Sequence, residues 1–208
     1  MPAMAGARKH QVQRQVGRPR EFEMDEVLDA AVQVFRERGY NATSIADLRA
    51  AMGLTSGSLY KAFEDKRAIY MAALDRYVAS RNESITRRMG KADTGREQIR
   101  AVLLSYADVS HGEEGRRGCM VLGGLMDVDT FDAALARRIH EALARVEQRF
   151  RKSMTVGIRD GSLPRHLDAR GSARYLLCVA EGLRALGKHG ASASEIEAVV
   201  DQAMQALR

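Results

Sequence analysis

Apolar residues recur every three or four positions along nearly the whole chain, and no stretch shows the strict alternation of a half-buried strand. Val27, Leu28, Ala31, Val32 and Phe35 predict a first helix over about 24–38, stopped by Gly39, a residue that readily leaves the helical conformation. Thr43 and Ser44 are both able to cap a second helix, whose apolar positions Ile45, Leu48, Ala51 and Met52 end at Gly53. A third begins after a turn of only three residues, capped by Thr55 or Ser56, with Leu59, Ala62 and Phe63 on its inner face. Asp65 then caps a long helix predicted to reach about Ser80, with Ile69, Ala73, Leu74, Tyr77 and Val78 facing inward.

Breaks at Gly90–Gly95, His111–Gly118, Asp127–Thr130, Gly161–Pro164 and Gly187–Ala191 divide the remainder into further amphipathic runs. The clearest places Phe131, Leu135, Ile139, Leu143, Val146, Phe150 and Met154 on one face, opposite arginines and glutamates. Two apolar helices close the chain, near 168–187 and 192–207, carrying Tyr175, Leu176, Val179, Leu183, Leu186, Ile196, Val199, Val200 and Met204. Adjoining apolar helices of this kind pair with their own copy to form a four-helix dimer interface. The expected fold is therefore all-α.

With 208 residues, 45% hydrophobic and 29% charged, the chain is able to bury a core and has room for two modest helical domains. No apolar run approaches the roughly 20 residues of a membrane helix, and the N-terminus lacks a signal-peptide core, so the expected compartment is the cytoplasm and no membrane partner is expected. Cys119 and Cys178 form no CxxC pair and no histidines cluster, so neither a metal nor another cofactor is expected. A net charge of +6 suits a polyanionic partner. Arg8, Lys9, Arg14, Arg18 and Arg20 all fall within the first 20 residues, which contain no acid and read as a flexible basic arm.

The second and third helices with their short turn make either a helix-turn-helix or an ordinary helical hairpin with a solvated outer face. The outward residues Thr55, Ser56, Gly57, Ser58, Tyr60 and Lys61 are small or hydrogen-bonding, which allows close approach to DNA. Lys66, at the next helix start, is placed to reach a phosphate. Resemblance separates the two readings. The stretch GRPREFEMDEVLDAAVQVFRERGYNATSIADLRAAMGLTSGSLYKAFEDKRAIYMAALDRY, Gly17 to Tyr77, strongly resembles the DNA-binding domain of the TetR family of bacterial repressors. The phenylalanine before RGY, the threonine of NATS, the G-L-T turn, S-L-Y-x-x-F and D-K-x-x-I occur in the family's order. The resemblance implies a dimeric repressor of a palindromic operator in double-stranded DNA, released by a small-molecule or thiol-reactive signal. It further implies phosphate contacts for Tyr60 and Lys66, base reading for Thr55 to Ser58, and a place for Thr43 at the same interface. Arg49 and Met52 stand where family members commonly carry alanine, so base preference is not carried over. The arm's Gly17-Arg18-Pro19-Arg20 resembles minor-groove tracts, giving Arg18 and Arg20 either a DNA contact or a solubilising role.

The expected organisation is an arm over 1–20, a three-helix DNA-binding domain over 21–67, and a helical ligand-binding and dimerisation domain over 68–208 joined to it by the long helix. DGSLP, LDARGSARYLL and EGLRALG carry a looser resemblance in that second half. By family likeness it houses an unknown small-molecule inducer, for which Leu103, Tyr106, Cys119, Met120, Leu122, Met126, Phe150 and Met154 are either pocket lining or plain core. Cys119 follows Arg116, Arg117 and Gly118 at a helix start, where cations and backbone N–H groups favour the reactive thiolate, and a Gly-Cys there resembles some oxidant- and electrophile-sensing members. The alternative is a small inert hydrophobe, as expected for Cys178 in its apolar run. No nucleophile motif, phosphate loop or paired metal ligands point to an enzyme. A helical architectural protein that binds DNA without a ligand is the remaining class.

Overall fold

The computed structural model describes residues 20–208, with side chains from Met24 onward. The arm with Arg18 lies outside the described residues, as does the side chain of Arg20. Ten α-helices and one 3-10 turn make up the described chain, and no strand occurs among these residues. The helices are α1 (Arg20–Arg38), α2 (Ile45–Ala51), α3 (Ser56–Ala62), α4 (Lys66–Met89) and α5 (Gly95–Ala107). They continue with α6 (Gly112–Arg117), α7 (Met120–Met126), α8 (Ala133–Asp160), α9 (Ala169–His189) and α10 (Ala193–Gln205), the 3-10 turn Val128–Thr130 preceding α8.

Local chemistry fixes most helix starts. Ser44, Thr55, Asp65, Thr94, Asp132, Asp168 and Ser192 each cap a helix by accepting a backbone N–H. At Ser44, Thr94 and Ser192 an acidic side chain three residues on returns the bond, closing a capping box. Three expected boundaries move. α1 begins at Arg20, before its first apolar position, because Glu21 to Asp25 are competent helix residues. α4 continues past Ser80 to Met89, since nothing breaks it before Gly90 and Ile85, only 2% exposed, gives the added turns a buried contact. The segment His111–Gly118, read as a break, contains the short helix α6.

Two buried clusters result. The first joins Val32, Phe35, Leu48, Met52, Leu59 and Phe63 of the small front helices to Ile69, Tyr70 and Leu74 of α4, and takes in Met120, Leu135 and Ile139 from α7 and α8. The second packs Ile85 against Val102, Leu103, Phe150, Met154, Leu176, Leu183, Ile196 and Val200. α4 contributes to both, so it is the beam that carries the front helices on the body. Arg76 of α4 forks onto Asp25 and Asp29 of α1 at 2.8–2.9 Å, while Arg67 clasps the α8 cap Asp132 and Arg138 meets Asp75 at 2.6 Å. Among the described residues no helix is long and apolar enough to cross a membrane, and no group of acidic, histidine or cysteine side chains is arranged to hold a metal.

Candidate nucleic-acid interface and thiol cavity

The turn between α2 and α3 depends on Gly53, whose φ of +64° is a left-handed conformation that glycine adopts without strain. α3 then anchors Leu59 in the core at 0% exposure and leaves the opposite face bare. Thr55, Ser56, Gly57, Ser58 and Lys61 are exposed, and Tyr60 is 59% exposed, a large ring standing in solvent beside small polar neighbours. Thr55 accepts the Ser58 backbone N–H and donates its hydroxyl to Ser58 Oγ at 3.0 Å, which fixes the first turn. Arg49, an exposed side chain of α2, donates to Ser56 Oγ at 3.2 Å and so joins this face. In the sequence it stood out only as a departure from family habit; the fold across the turn brings it beside α3.

Two of the expected contacts have other partners. Thr43 is 2% exposed and donates its hydroxyl to the Gly39 carbonyl at 2.6 Å, closing the loop after α1 rather than facing outward. Lys66 Nζ donates to the carbonyls of Tyr40 and Thr43 at 3.0 and 3.1 Å and lies 4.3 Å from the Tyr40 ring centroid. One ammonium N–H remains for an anion, so Lys66 is first a strut of the α1–α2 loop.

The expected ligand-lining set divides three ways. Tyr106 and Cys119 line a cavity of about 40 Å³ between α4, α5, α7, α8 and α9. Leu103, Phe150 and Met154 are fully buried in the second core cluster, and Met120 in the first, so they pack against neighbouring helices instead of lining this space. Leu122 is half-buried away from the cavity, and Met126 is 72% exposed. Spacing on a helix face identifies buried residues but not which of them border a gap. Cys178, expected to be packed, is exposed on the outer side of α9.

The cavity is polar at one end. Tyr77 Oη donates to Cys119 Sγ at 3.4 Å, and Asn82, Glu181 and Arg184 share the lining with an aliphatic wall of Val78, Ile85 and Val146. Glu181 has its carboxyl pushed up to about 7 by burial, against the opposing pull of Arg184. Arg184 is 1% exposed, with Nη1 on Ser110 Oγ at 3.3 Å and Nη2 on the Gly118 carbonyl at 2.6 Å. Burial draws its pKa down, and neighbouring Tyr77 together with the Cys119 sulfur outweighs that and raises it. Two buried atoms bordering the cavity, Arg184 Nε and Glu181 Oε2, lack a hydrogen bond of ordinary geometry. A cation that acts on Cys119 thus comes from α9. Arg117, two residues before the thiol, meets Glu113 at 2.6 Å.

Gly118, immediately before the thiol, has φ +90° and ψ −164°, a region essentially restricted to glycine. Its carbonyl also accepts Arg36 Nε at 3.0 Å, and Arg36 reaches the Glu114 carbonyl at 3.1 Å and the Glu114 carboxylate at 2.6 Å. One peptide group beside Cys119 thus binds an arginine from α1 and another from α9. Neither long-range tie is visible in local sequence, since the partners lie 82 and 66 residues away.

Comparison with known proteins covers nearly the whole chain. Residues 27–73 match the family model of bacterial regulatory proteins, tetR family, and residues 95–207 match that of the tetracyclin repressor-like C-terminal domain. The HTH-type transcriptional repressor ComR of Escherichia coli K12 is 25% identical over 189 residues, 89% of each chain. YezE of Bacillus subtilis 168, an HTH-type transcriptional regulator, is 26% identical over 193 residues, 92% of this chain and all of that one. A cysteine-substituted form of the regulator CifR, solved with 26-base-pair operator DNA, superposes with a TM-score of 0.79 at 29% identity, over 92% of this chain and 100% of that one. Reduced NemR of Escherichia coli shares the fold, with a TM-score of 0.76 at 17% identity, over 88% of this chain and 95% of that chain.

Proposed function

Since the chain belongs to the TetR family of bacterial regulatory proteins, we propose that it is a dimeric transcriptional repressor that holds a palindromic operator through α3 and lets go when Cys119 reacts. The observation that carries the DNA-binding part is the bare outer face of α3, with Leu59 locked inside and Thr55 to Ser58, Tyr60 and Lys61 outside. Small hydroxyl and glycine positions let the helix enter a major groove, and the exposed tyrosine and lysine reach the flanking phosphates. Arg49 joins the interface from α2, and the free N–H of Lys66 supplies a further phosphate contact. Arg18 and Arg20 are assigned to the neighbouring minor groove, a role tested by replacing both with alanine and measuring the salt dependence of binding.

The division of labour follows: residues 21–67 bind DNA, and residues 68–208 sense and pair. Coupling between them runs through the Gly118 carbonyl. An adduct or oxygen on Cys119 enlarges the side chain inside a 40 Å³ space, which displaces the adjoining peptide and, through Arg36, the α1 helix of the DNA-binding end. The direct test is a mobility shift with the DNA flanking its own gene, against scrambled DNA, before and after N-ethylmaleimide. Specific retardation that the reagent abolishes, and that persists with reagent in Cys119→Ser, is expected. Equal retardation of scrambled DNA refutes the operator reading, and full release of Cys119→Ser refutes the thiol.

A further inference from the structure

A group of cations on α8 is left unanswered by the fold. Surface arginines elsewhere meet carboxylates, as Arg87, Arg88, Arg100 and Arg138 do at 2.5–2.9 Å. Arg145, Arg149 and Lys152 meet none among the described residues. The acids within a turn of Arg145, Glu141 and Glu147, are engaged by Arg137 and Arg174 at 3.8 and 3.4 Å. Arg149 has two long contacts with neutral oxygens, Asn82 Oδ1 at 3.4 Å and Thr86 Oγ1 at 3.5 Å. Burial lowers its pKa, nearby Tyr106 opposes that, and the Arg145 charge adds to it, so an anion alongside would relieve both costs.

The three cations border an open cleft of about 430 Å³ between α4, α5 and α8, lined also by Gln98, Gln148 and Ser153 and by no carboxylate. It shares no lining residue with the cavity at Cys119. Met89 and Gly90 place it at the far end of α4 from the α3 face, about 35 Å along the helix axis from Lys66. Ser153 is the second pointer to a ligand. Helix hydroxyls commonly bond the carbonyl four residues back, and Ser105 and Ser110 do so at 2.8 and 2.7 Å. Ser153, 1% exposed, makes no such bond, and its Oγ has no hydrogen-bond partner among the described residues. A buried hydroxyl left unmet is costly, and a guest oxygen in the cleft that it borders meets it.

We propose that this cleft binds a small organic polyanion, its oxyanion groups held by Arg145, Arg149 and Lys152 and one oxygen taking the hydroxyl of Ser153. Arg145, Arg149 and Ser153 follow one another at four-residue steps and so share a face of α8, with Gln148 and Lys152 on the adjoining row. The three charges spread over about 10 Å of helix, more than a single oxyanion spans, so the ligand carries at least two. The volume lies in the range of small-molecule sites, roughly 300–1,000 Å³. Guanidinium forks suit carboxylate and phosphate alike. The inference is independent of Cys119, so either stands if the other fails.

Citrate and pyrophosphate, a tricarboxylate and a phosphate probe, are titrated calorimetrically into the full-length dimer. Saturable binding of at least one, at one site per chain, is expected. Binding of citrate alone assigns carboxylates, and binding of pyrophosphate alone assigns phosphates. Arg145→Ser with Arg149→Ser should weaken binding at least about tenfold. Arg165→Ser with Arg170→Ser removes the same charge from exposed positions outside the cleft and should change it less than about twofold. Ser153→Ala, which alters no charge, should weaken it about tenfold, the worth of a hydrogen bond to a charged group. Lys152→Ala, at an exposed position, repeats the measurement if the double arginine variant does not fold. Failure of both probes to bind, equal weakening by the two arginine pairs, or unchanged affinity in Ser153→Ala overturns the proposal. Loss of operator affinity in the Arg145 and Arg149 variant, with neither probe bound, would give these cations to DNA instead.

Discussion

Single residues in this molecule have roles that their neighbours in sequence do not reveal. Tyr60 and Lys61 project from α3 with nothing packed over them, so their replacement by alanine should weaken binding to any DNA, and removing the Lys61 charge should lower the salt slope by about one. Substitutions at Ser56 or Ser58 should instead change the ratio of operator to scrambled affinity, by roughly 1–3 kcal/mol for each base contact altered. Fluorescence anisotropy on both DNAs at several salt concentrations separates the two groups, and identical behaviour refutes the separation. Glu181 yields a prediction in pH. Its carboxyl is raised to about 7 in the folded state from an ordinary 4.5, with Arg184, Arg81 and Tyr106 around the same cavity. Between those values the native state binds more protons than the unfolded one, so stability falls as pH rises through that window. Glu181→Gln should flatten this loss, gaining on the order of 3 kcal/mol at pH 8 relative to the unmodified protein and little at pH 4. Denaturant unfolding across pH 4–8 reads the difference, and parallel curves would contradict it.

At the scale of the helix, packing decides what spacing proposes. Phe131 to Met154 form one apolar stripe in sequence, yet α8 divides it between the two core clusters as it passes from the front helices to the body. Phe150 is 0% exposed within the second cluster and away from the cavity, so Phe150→Ala should cost about 3–5 kcal/mol of stability without altering how fast Cys119 is alkylated. Thermal unfolding combined with alkylation kinetics checks both halves of that statement. Arg36 works across helices in the opposite sense. Arg36→Gln removes the tie from α1 to Gly118 and Glu114, and should leave operator affinity within about threefold while shrinking the response to alkylation below about fivefold, a loss of coupling rather than of binding. Retention of full release in that variant would place the coupling elsewhere.

For the whole molecule, the unfinished surface is the outer side of α9. Tyr175 and Leu186 are 43% and 39% exposed and share that side with Cys178, whereas the opposite side buries Leu176, Ala180 and Leu183. α10 likewise turns Ile196 and Val200 inward, so the two closing helices are half-covered by their own chain and half-available to a second copy. The double substitution Tyr175→Glu with Leu186→Glu should convert the dimer to monomer in sedimentation, and operator affinity should fall by more than about tenfold because two half-sites are no longer read together. A variant that remains dimeric would move the interface away from α9.

How much of this is legible in the sequence follows from the range of each interaction. Helix-forming periodicity, the caps at Ser44, Asp65 and Thr94 and the turn at Gly53 act within a few residues, so the all-α plan and the outward face of α3 are written locally. The family motifs between Gly17 and Tyr77 then place these helices in the tetR family of bacterial regulatory proteins. Local pattern fails where the partner lies far along the chain. Thr43 and Lys66 face inward because carbonyls of the α1–α2 loop are nearer than solvent, and the α4 extension holds because Ile85 finds a distant core. The surroundings of Cys119 depend most on tertiary structure. Cys119 is visible in the sequence as a thiol beside arginines, but its actual neighbours, Tyr77 and Arg184, come from α4 and α9, and only folding creates the small unfilled space that they share with Glu181. A cavity is what packing leaves over, so no single helix encodes it.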